Sequence, residues 1–318
     1  MIISVFQILG GFFLLFVGGE SLVRGAIQIA QRLKMSKLLI GITIVAYGTS
    51  SPELLITVQA VMNNFHEIAL GNVIGSNIAN IFLVLGISAV IYPISVSKKL
   101  VNFDIYYLII ASIALILFMM LGVINRYEAI ILLLILIVYT ISTFRTSKKN
   151  NDNLGKDQVD EVSKQLHVKK SLPFSITFLF IGIAALTYGA HILVSGASDI
   201  ASQFGVSEAV IAVTIVALGG CAPEISTSII AALHKHSDIA IGNVIGSNIF
   251  NILAILGVGA LIHPITTNSS LATFDIWVMA FATILLYLIC KAKLKISRNT
   301  GIGFLILYAL YISKQIWF

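Results

Sequence analysis

Charged residues are scarce in this chain of 318 residues. Only 11% of the residues are Asp, Glu, Lys or Arg, whereas 58% are hydrophobic. Because a soluble domain averages about 25% charged residues, this composition excludes an ordinary soluble globular protein and indicates an integral membrane protein. The net charge of +6 is modest, so the positions of the charges carry more information than their sum.

Cysteine is nearly absent as well. Cys221 and Cys290 both lie in apolar stretches, which excludes a disulfide framework. None of the six histidines lies close in sequence to Glu53 or Glu224, and an intramembrane enzyme would need a Ser–His, paired-Asp or HExxH constellation. The sequence therefore predicts neither a disulfide-stabilised scaffold nor an enzyme.

Long apolar runs are what the chain has in abundance. About 20 apolar residues cross about 30 Å of hydrocarbon, and this criterion predicts ten spans. Their lengths and their Gly/Pro punctuation favour helices over barrel strands, so the predicted fold class is an all-α integral membrane protein. The spans lie near residues 3–30, 37–62, 68–92, 103–124, 127–144, 172–201, 208–233, 239–263, 274–290 and 301–318.

The two halves of the chain align without a gap when the numbering is shifted by 171. Between residues 36–86 and 207–257, 24 of 51 positions are identical, and the octapeptide GNVIGSNI occurs in both. Each half holds five predicted spans, so the second half must enter the membrane inverted relative to the first, as in many secondary transporters. The predicted domains are a first repeat at 1–144, a linker at 145–171 and a second repeat at 172–318.

Lys and Arg lie almost entirely on one predicted side of the membrane. That side holds 18 of the 20, seven of them in the linker, and only Arg126 and Lys314 fall on the other side. Since cytoplasmic loops are enriched in Lys and Arg, the linker is predicted to be cytosolic and both termini to lie outside. The predicted location is the cell membrane.

Two carboxylates lie deep in predicted spans. Glu53 and Glu224 each sit about 15 residues into a span, where a charge costs at least about 2.5–3.5 kcal/mol on insertion scales. A structural ion pair would explain them, but no Lys or Arg occupies the central part of any predicted span. The pair must therefore be protonated or bind a cation, and intramembrane carboxylates of this kind mark functional sites.

A proline precedes each of these glutamates. Pro52 and Pro223 lack an N–H and interrupt the helical hydrogen bonds one turn earlier, so spans 2 and 7 are predicted to be broken helices. We expect the carbonyls near residues 46–49 and 217–220 to be freed and to line a cavity or coordinate an ion. Oxygen donors suit hard cations such as Ca²⁺ and Na⁺. A proline kink without function would not need the adjacent glutamate.

The GNVIGSNI segments add neutral polar groups. Ser76 and Asn80 share one helix face, and the spacing of Gly71 and Gly75 permits close contact between helices. Spans 3 and 8 can then bring Asn80 and Asn251 beside the two glutamates. Hydrogen bonding between helices is the alternative role. For four other asparagines this role is as strongly expected as ion binding: Asn72, Asn77, Asn243 and Asn248.

Other polar features are assigned structural roles. Asp104 and Asp275 stand at matching positions in FDIYY and FDIWV and are expected to be helix N-caps. Glu20 and Arg24 form a surface-seeking pair four residues apart. The HKH segment at 234–236 is expected to be a hydrated loop rather than a metal site.

The segments GTSSPE and GGCAPE, each followed by GNVIGSNI, resemble the two alpha repeats of the cation/Ca²⁺ exchanger superfamily, and the chain is similar to its prokaryotic-type sodium/calcium exchangers over essentially its whole length. The resemblance implies a secondary active antiporter that exchanges Ca²⁺ for Na⁺ by alternating access and moves Ca²⁺ outward. The implied partners are Ca²⁺, Na⁺ and the lipid bilayer, with no cofactor, nucleic acid or obligate protein partner. The implied Ca²⁺ ligands are Glu53, Glu224, Asn80, Asn251 and the carbonyls of Thr49 and Gly220, and the implied Na⁺ contacts are Ala46, Ser50, Ser76, Ala217 and Ser247.

The chain departs from the sodium-coupled pattern in two ways. The first half has Thr49 and Ser50 where the second has Gly220 and Cys221, so two hydroxyl groups are lost and the involvement of K⁺ stays open. Some sodium/calcium exchangers carry Asp where this chain has Asn80 or Asn251. Because both positions are Asn here, the formal charge of the site is −2. Exchange of Ca²⁺ for H⁺ is the other alternative, although that branch has acidic residues in the GN segments that are absent here.

The predicted orientation is testable with a single labelled cysteine. A cysteine placed at Asn153, in the linker, should stay unlabelled by a membrane-impermeant maleimide in intact cells and react after permeabilisation. A cysteine at Asn64, in a loop predicted to lie outside, is the matched control and should react in intact cells. Labelling at position 153 in intact cells would reverse the topology.

Overall fold

The computed structural model describes residues 1–32, 35–98, 100–165, 172–205, 217–267 and 270–317, and it is mainly helical. In chain order the helices are α1 (Ile2–Arg32), α2 (Lys37–Thr49), α3 (Ser51–Met62), α4 (His66–Ile91), α5 (Leu100–Met120), α6 (Arg126–Gln165), α7 (Leu172–Gln203), α8 (Ala217–Gly220), α9 (Ala222–Leu233), α10 (Ser237–Ile262), α11 (Ser270–Lys293) and α12 (Arg298–Trp317).

Seven of these helices are long and apolar enough to cross a membrane, and the bent pair α2–α3 makes up to eight. The seven coincide with predicted spans 1, 3, 4, 5, 6, 8 and 9, and the bent pair coincides with span 2. Predicted span 7 lies partly outside the described residues, which resume at Ala217. Helix α12 covers predicted span 10 but falls outside the apolar group.

Two short strand pairs accompany the helices, so the helical fold class is confirmed with a small addition. The strands are β1 (Ile94–Ser95), β2 (Val123–Ile124), β3 (Ile265–Thr266) and β4 (Lys295–Ile296). β1 pairs with β4 and β2 pairs with β3, both antiparallel. Each pair therefore joins the first half of the chain to the second.

The duplication in the sequence is repeated in the structure. Helices α4 and α10 begin and end at positions that differ by the same 171 residues as the sequence repeat. Each contains one π-helical turn at the matching place, Asn80–Val84 in α4 and Asn251–Ile255 in α10. A π turn inserted in an α-helix is frequent at functional sites, and here it begins at the asparagine singled out by the sequence.

Helix α6 does not end where predicted span 5 ends. It continues from Arg126 to Gln165, through predicted span 5 and into the predicted linker. The polar composition of the linker therefore does not interrupt the helix at residue 145.

Glycines set the contact between α1 and α7. A Cβ added at Gly18 would lie 3.0 Å from the Gly182 carbonyl oxygen, and one added at Gly11 would lie 2.9 Å from that of Gly189. As the residue number rises along α1 it falls along α7, so the two helices run antiparallel with their backbones in contact. This stripe, with glycines seven residues apart on both helices, was not recognised in the sequence. Its members are Gly11, Gly18, Gly25, Gly182, Gly189 and Gly196.

The buried apolar side chains form two separate clusters. One joins α1 and α7 to the ends of the helices beside them and includes Leu22, Val23 and Leu186. The larger cluster lies around α4 and α10 and includes Ile74 and Ile245. The α1–α7 pair thus packs on the ends of α2, α9 and α10 through a cluster that is separate from the larger one.

The prediction that Asp104 and Asp275 act as helix N-caps is wrong. Asp104 is buried, makes no capping hydrogen bond and accepts one from the Tyr139 hydroxyl at 3.1 Å. Asp275 lies inside α11 and accepts a hydrogen bond from the Gln315 amide at 2.6 Å. Both carboxylates are therefore used to join helices, because a buried polar group needs a partner.

Two glycines bring α10 against α2, which belongs to the other half of the chain. A Cβ added at Gly242 would lie 3.1 Å from the Leu38 carbonyl oxygen. One added at Gly246 would collide with the Ile42 carbonyl oxygen and lie 2.7 Å from the Ala46 Cβ. For the matching glycines of α4, the corresponding positions 209 and 213 lie outside the described residues.

This contact predicts a cost for one added methyl group. Gly246→Ala should lower the free energy of unfolding by about 1–3 kcal/mol, because overpacking forces the two backbones apart. The measurement is the midpoint of thermal unfolding in detergent. Gly303→Ala is the control, since no atom of the described residues lies within 4 Å of a Cβ added there, and its midpoint should stay the same or rise. Equal midpoints for the two variants would contradict the tight contact.

Candidate functional site

The site is built where two helices are interrupted. Ser50 separates α2 from α3, with φ −86° and ψ 8°, and Cys221 separates α8 from α9 with φ −86° and ψ 3°. A proline stands in the first turn after each break, and the axes of α2 and α3 differ by 45°. The predicted breaks are therefore present at both positions, and they place two helix N-termini inside the fold.

The expectation that the carbonyls before the first break are free is wrong for two of them. The Ala46 carbonyl accepts from the Ser50 N–H at 3.0 Å and from the Thr49 hydroxyl at 3.2 Å. The Tyr47 carbonyl accepts from the Ser51 hydroxyl at 2.8 Å. Hydroxyl groups thus contribute to the bonding around the break. The Tyr47 carbonyl keeps a second lone pair, whereas the two bonds to the Ala46 carbonyl already use both of its lone pairs.

The two glutamates meet at this point. Glu53 and Glu224 lie in the first turns of α3 and α9, are each 1% exposed, and have their carboxyl groups close enough to interact electrostatically. In the described part of the chain, neither forms a salt bridge with Lys, Arg or His. Helix N-termini favour negative charge, but they do not neutralise two facing carboxylates. The arrangement therefore calls for a cation or protons.

Hydrogen bonds from one half complete the surroundings of the other. The Ser50 hydroxyl donates to Glu224 Oε1 at 2.9 Å, and the Thr49 hydroxyl lies 3.2 Å from Asn243 Oδ1. The Ser247 hydroxyl lies 3.5 Å from the Ala46 carbonyl oxygen. Each repeat thus supplies polar groups to the opposite break, and neither builds the site alone.

The predicted Na⁺ contacts Ser76 and Ala217, and the predicted Ca²⁺ ligand Gly220, are placed less completely. The thiol of Cys221 interacts with the Ser76 hydroxyl, which brings Ser76 to the second break. No atom of the described residues lies within 4 Å of a Cβ added at Gly220. For Ala217 the structure gives the start of α8, and its side chain lies outside what is described.

The π turns bring Asn80 and Asn251 toward the glutamates. Helix α3 packs on the π turn that begins at Asn251, and α9 packs on the one that begins at Asn80. On these two asparagines and the two glutamates, four buried side-chain oxygens have no hydrogen-bond partner among the described residues, and since buried polar atoms are normally paired, a cation that binds oxygen fits between them. They are Glu53 Oε2, Glu224 Oε2, Asn80 Oδ1 and Asn251 Oδ1.

The other four asparagines of the repeated segments join helices. Asn72 Nδ2 donates to the Thr57 hydroxyl at 2.9 Å and to the Glu53 carbonyl at 3.1 Å, and Asn243 Nδ2 donates to the Ser228 hydroxyl at 3.1 Å. Thr57 and Ser228 were not recognised in the sequence, although both halves carry a hydroxyl at this position. The other two asparagines join the two halves of the chain. Asn248 Nδ2 donates to the Asn77 carbonyl at 3.2 Å, and Asn77 Nδ2 lies 3.6 Å from the Met279 sulfur.

The polar pair Glu20 and Arg24 is in contact, as expected from its spacing. Glu20 also lies 2.8 Å from His234 Nε2. The HKH segment is therefore connected to α1 through His234, which the sequence did not indicate.

Comparison with known proteins gives one consistent answer. The family model described as sodium/calcium exchanger protein matches residues 3–145 and 174–317. The putative antiporter CaxA of Alkalimonas amylolytica is 35% identical over 321 residues, covering 99% of this chain and 98% of the relative. The sodium/calcium exchanger MaX1 of Methanosarcina acetivorans is 28% identical over 345 residues, covering 95% of both.

Solved structures agree with these relatives. The sodium-calcium exchanger NCX_Mj superposes on this chain with a TM-score of 0.84 at 35% sequence identity, over 98% of both chains. The helical fold, the several apolar helices and the paired interrupted helices thus accompany a match along nearly the whole sequence. The chain therefore belongs to the sodium/calcium exchanger protein family of multi-pass membrane transporters.

Proposed function

We propose that this chain is a secondary active antiporter that exchanges Ca²⁺ for Na⁺ across the cell membrane and moves Ca²⁺ outward. The observation that carries the proposal is the group of four unpartnered buried oxygens on Glu53, Glu224, Asn80 and Asn251. Two carboxylates without a basic partner give a formal charge of −2, which one Ca²⁺ or two Na⁺ would neutralise. Ions that compete for the same charge cannot be bound together, and mutually exclusive binding is what exchange requires.

The donor set suits Ca²⁺. Ca²⁺ takes six to eight oxygen ligands in a flexible geometry, and the two carboxylates offer up to four. The amide oxygens of Asn80 and Asn251 add two, and the carbonyls of Thr49 and Gly220 are the proposed remainder. No described group of three His, Cys, Asp or Glu side chains is present, so neutral oxygens must complete the shell.

For Na⁺ we propose ligands at the ends of the interrupted helices. Ser50 and Ser247 already point hydroxyls at Glu224 and the Ala46 carbonyl, and both hydroxyls also carry lone pairs for a cation. The full proposed set is Ala46, Ser50, Ser76, Ala217 and Ser247. Because these residues adjoin the carboxylates, Na⁺ binding there would draw on the same negative charge as Ca²⁺.

We propose that the fold consists of ten spans in two inverted repeats, at 1–144 and 172–318. The reciprocal strand pairs support this, since exchanging the halves converts the β1–β4 pair into the β3–β2 pair, as a twofold axis would. The proposed linker at 145–171 is cytosolic and both termini lie outside. Alternating access then requires one part of the structure to rock against the other, and the α1–α7 pair, whose buried cluster is separate from the one around α4 and α10, is the proposed moving part.

Substitution of the two carboxylates tests the proposed ion centre. Glu53→Gln and Glu224→Gln should each reduce Ca²⁺ flux to the background of empty vesicles, because a site of charge −1 no longer neutralises Ca²⁺. The measurement is ⁴⁵Ca²⁺ uptake into proteoliposomes loaded with Na⁺, K⁺ or a proton gradient, which also identifies the co-ion.

Glu67→Gln is the matched control, because Glu67 is exposed in the first turn of the neighbouring helix α4. Its flux should equal that of the unmodified chain. All three variants should elute as monodisperse proteins with similar melting temperatures. Normal Ca²⁺ flux in the Glu53 and Glu224 variants would remove the glutamates from the ion path.

The two repeats differ in the side chain at the helix break, which is Ser50 in the first and Cys221 in the second. Ser50 donates to Glu224 at 2.9 Å, whereas the matching position in the second half is Cys221, whose thiol is a poor ligand for Na⁺. Glu53 is thus left with a thiol in the place where Glu224 has a hydroxyl. We propose that this weakens Na⁺ binding or lets K⁺ occupy the vacated volume.

Restoring the hydroxyls should strengthen Na⁺ binding. Gly220→Thr combined with Cys221→Ser should lower the Na⁺ concentration for half-maximal Ca²⁺ efflux, because ion selectivity depends on the number and field strength of the oxygens. The open space at Gly220 accommodates the added Cβ. The mirror variant, Thr49→Gly with Ser50→Cys, should shift the Na⁺ concentration in the opposite direction. If the first variant folds and neither its Na⁺ nor its K⁺ dependence changes, these positions do not line a co-ion site.

A further inference from the structure

Two histidines from opposite halves meet at one end of the helical core. His66 is the first residue of α4, and His263 directly follows α10. Their ring centroids are 5.7 Å apart and their planes are inclined by 30°. The positions that match them in the other half are Ser237 and Tyr92, so this pair is not a product of the duplication and has no role in the ion centre described above.

Each ring has a nitrogen available for a ligand. His263 Nδ1 lies 3.1 Å from the Pro264 carbonyl oxygen, and donating its proton there leaves Nε2 with a lone pair, the tautomer that metal-binding histidines adopt. His66 Nδ1 is buried and has no hydrogen-bond partner among the described residues. A buried nitrogen left without a partner is costly, and a ligand on it would remove that cost.

The separation of the rings fits a shared metal ion. A Zn–N bond of about 2.0–2.1 Å places the ring centre about 3.2 Å from the metal. Two imidazoles at a tetrahedral angle then have ring centres about 5.2 Å apart, and a wider angle extends this to about 6 Å. The observed 5.7 Å lies between these values.

We propose that His66 and His263 form a binding site for Zn²⁺ or a similar imidazole-preferring transition metal. No described His, Cys, Asp or Glu side chain makes this a group of three, so water completes the coordination and binding is reversible. Glu67, next to His66 in the sequence, supplies negative charge, and Arg126 donates to the carbonyl of Leu261, two residues before His263.

Such a metal would connect the two helices that hold the ion centre. Helix α4 contains Asn80 and α10 contains Asn251, and the two histidines stand at an end of each helix. A metal bound to both would restrain the helices relative to each other. Its effect on transport rests on the proposed exchange function, whereas the site itself does not.

Calorimetric titration of the purified chain in detergent with ZnCl₂ tests the site. In His66→Ala and in His263→Ala, we expect the number of Zn²⁺ ions bound per chain to fall by one, or the Zn²⁺ affinity to fall by about tenfold or more. Even residues that only support a metal ligand change the affinity by this factor. His263 is exposed, so its variant keeps the test valid if the His66 variant does not fold. Unchanged Zn²⁺ binding in His263→Ala overturns the proposal.

The other histidine pair provides the matched control. His234 and His236 have ring centroids 6.4 Å apart, but His234 Nε2 is already engaged by Glu20 at 2.8 Å. His234→Ala should therefore leave the Zn²⁺ affinity of the His66–His263 site unchanged. If His234→Ala loses the Zn²⁺ signal and His263→Ala keeps it, the metal binds at the His234–His236 pair, and the proposal is overturned.

A flux measurement separates this proposal from the proposed function. Zn²⁺ added on the side of His66 should slow ⁴⁵Ca²⁺ exchange by the unmodified chain and not by His263→Ala. Absence of Na⁺-driven exchange would contradict the proposed function and leave the calorimetric result standing. Exchange without any Zn²⁺ binding would contradict the metal site alone.

Discussion

Two buried carboxyl groups, with no basic partner among the described residues, are the constraint on which the rest of this structure depends. Holding Glu53 and Glu224 together inside the fold requires helix N-termini there, because their partial positive charge offsets part of the cost. The proline after each break provides those N-termini. The hydroxyls of Thr49, Ser50 and Ser51 then satisfy groups that the breaks expose.

Because of the duplication, polar groups reach the proposed ion centre from two opposite repeats. A single repeat presents one glutamate, one asparagine and one interrupted helix, and its polar groups point toward the opposite repeat. Ser50 reaches Glu224, Ser247 reaches the Ala46 carbonyl and Asn251 reaches Asn77. Since each half completes the other, a change in the relative position of the halves would change the proposed ion centre, and this would couple ion binding to movement.

Much of the site could be predicted from the sequence because its chemistry is expensive. A glutamate in an apolar run, a proline beside it and a repeated asparagine each violate the pattern around them, so Glu53, Glu224, Asn80 and Asn251 are conspicuous. Features that fit the apolar pattern around them could not be found from the sequence. Glycines spaced by seven look ordinary in an apolar helix, and their meaning appears only when α1 and α7 lie antiparallel. His66 and His263 are nearly 200 positions apart and lie in unmatched positions of the two halves, so neither spacing nor symmetry indicated their contact.

The N-cap prediction for Asp104 and Asp275 failed for a related reason. A local rule assigned each carboxylate to the backbone nearest in sequence, whereas in a buried, apolar setting the stronger demand is a partner from another helix. Tyr139 and Gln315 meet that demand from the next helix along the chain. Local propensity therefore yields to tertiary contacts where water is excluded.

The contacts of α1 bear on the proposed movement of the α1–α7 pair relative to the proposed ion centre. Glycines place its backbone directly against that of α7, with Gly11 and Gly18 facing Gly189 and Gly182. Such contact leaves little room for the two helices to separate, so they must move together if either moves. Around α4 and α10, by contrast, the π turns and the asparagine hydrogen bonds interlock elements of both halves. If the α1–α7 pair moves as proposed, the asparagine hydrogen bonds between α4 and α10 need not break, so access to the proposed ion centre can change while these two helices stay together.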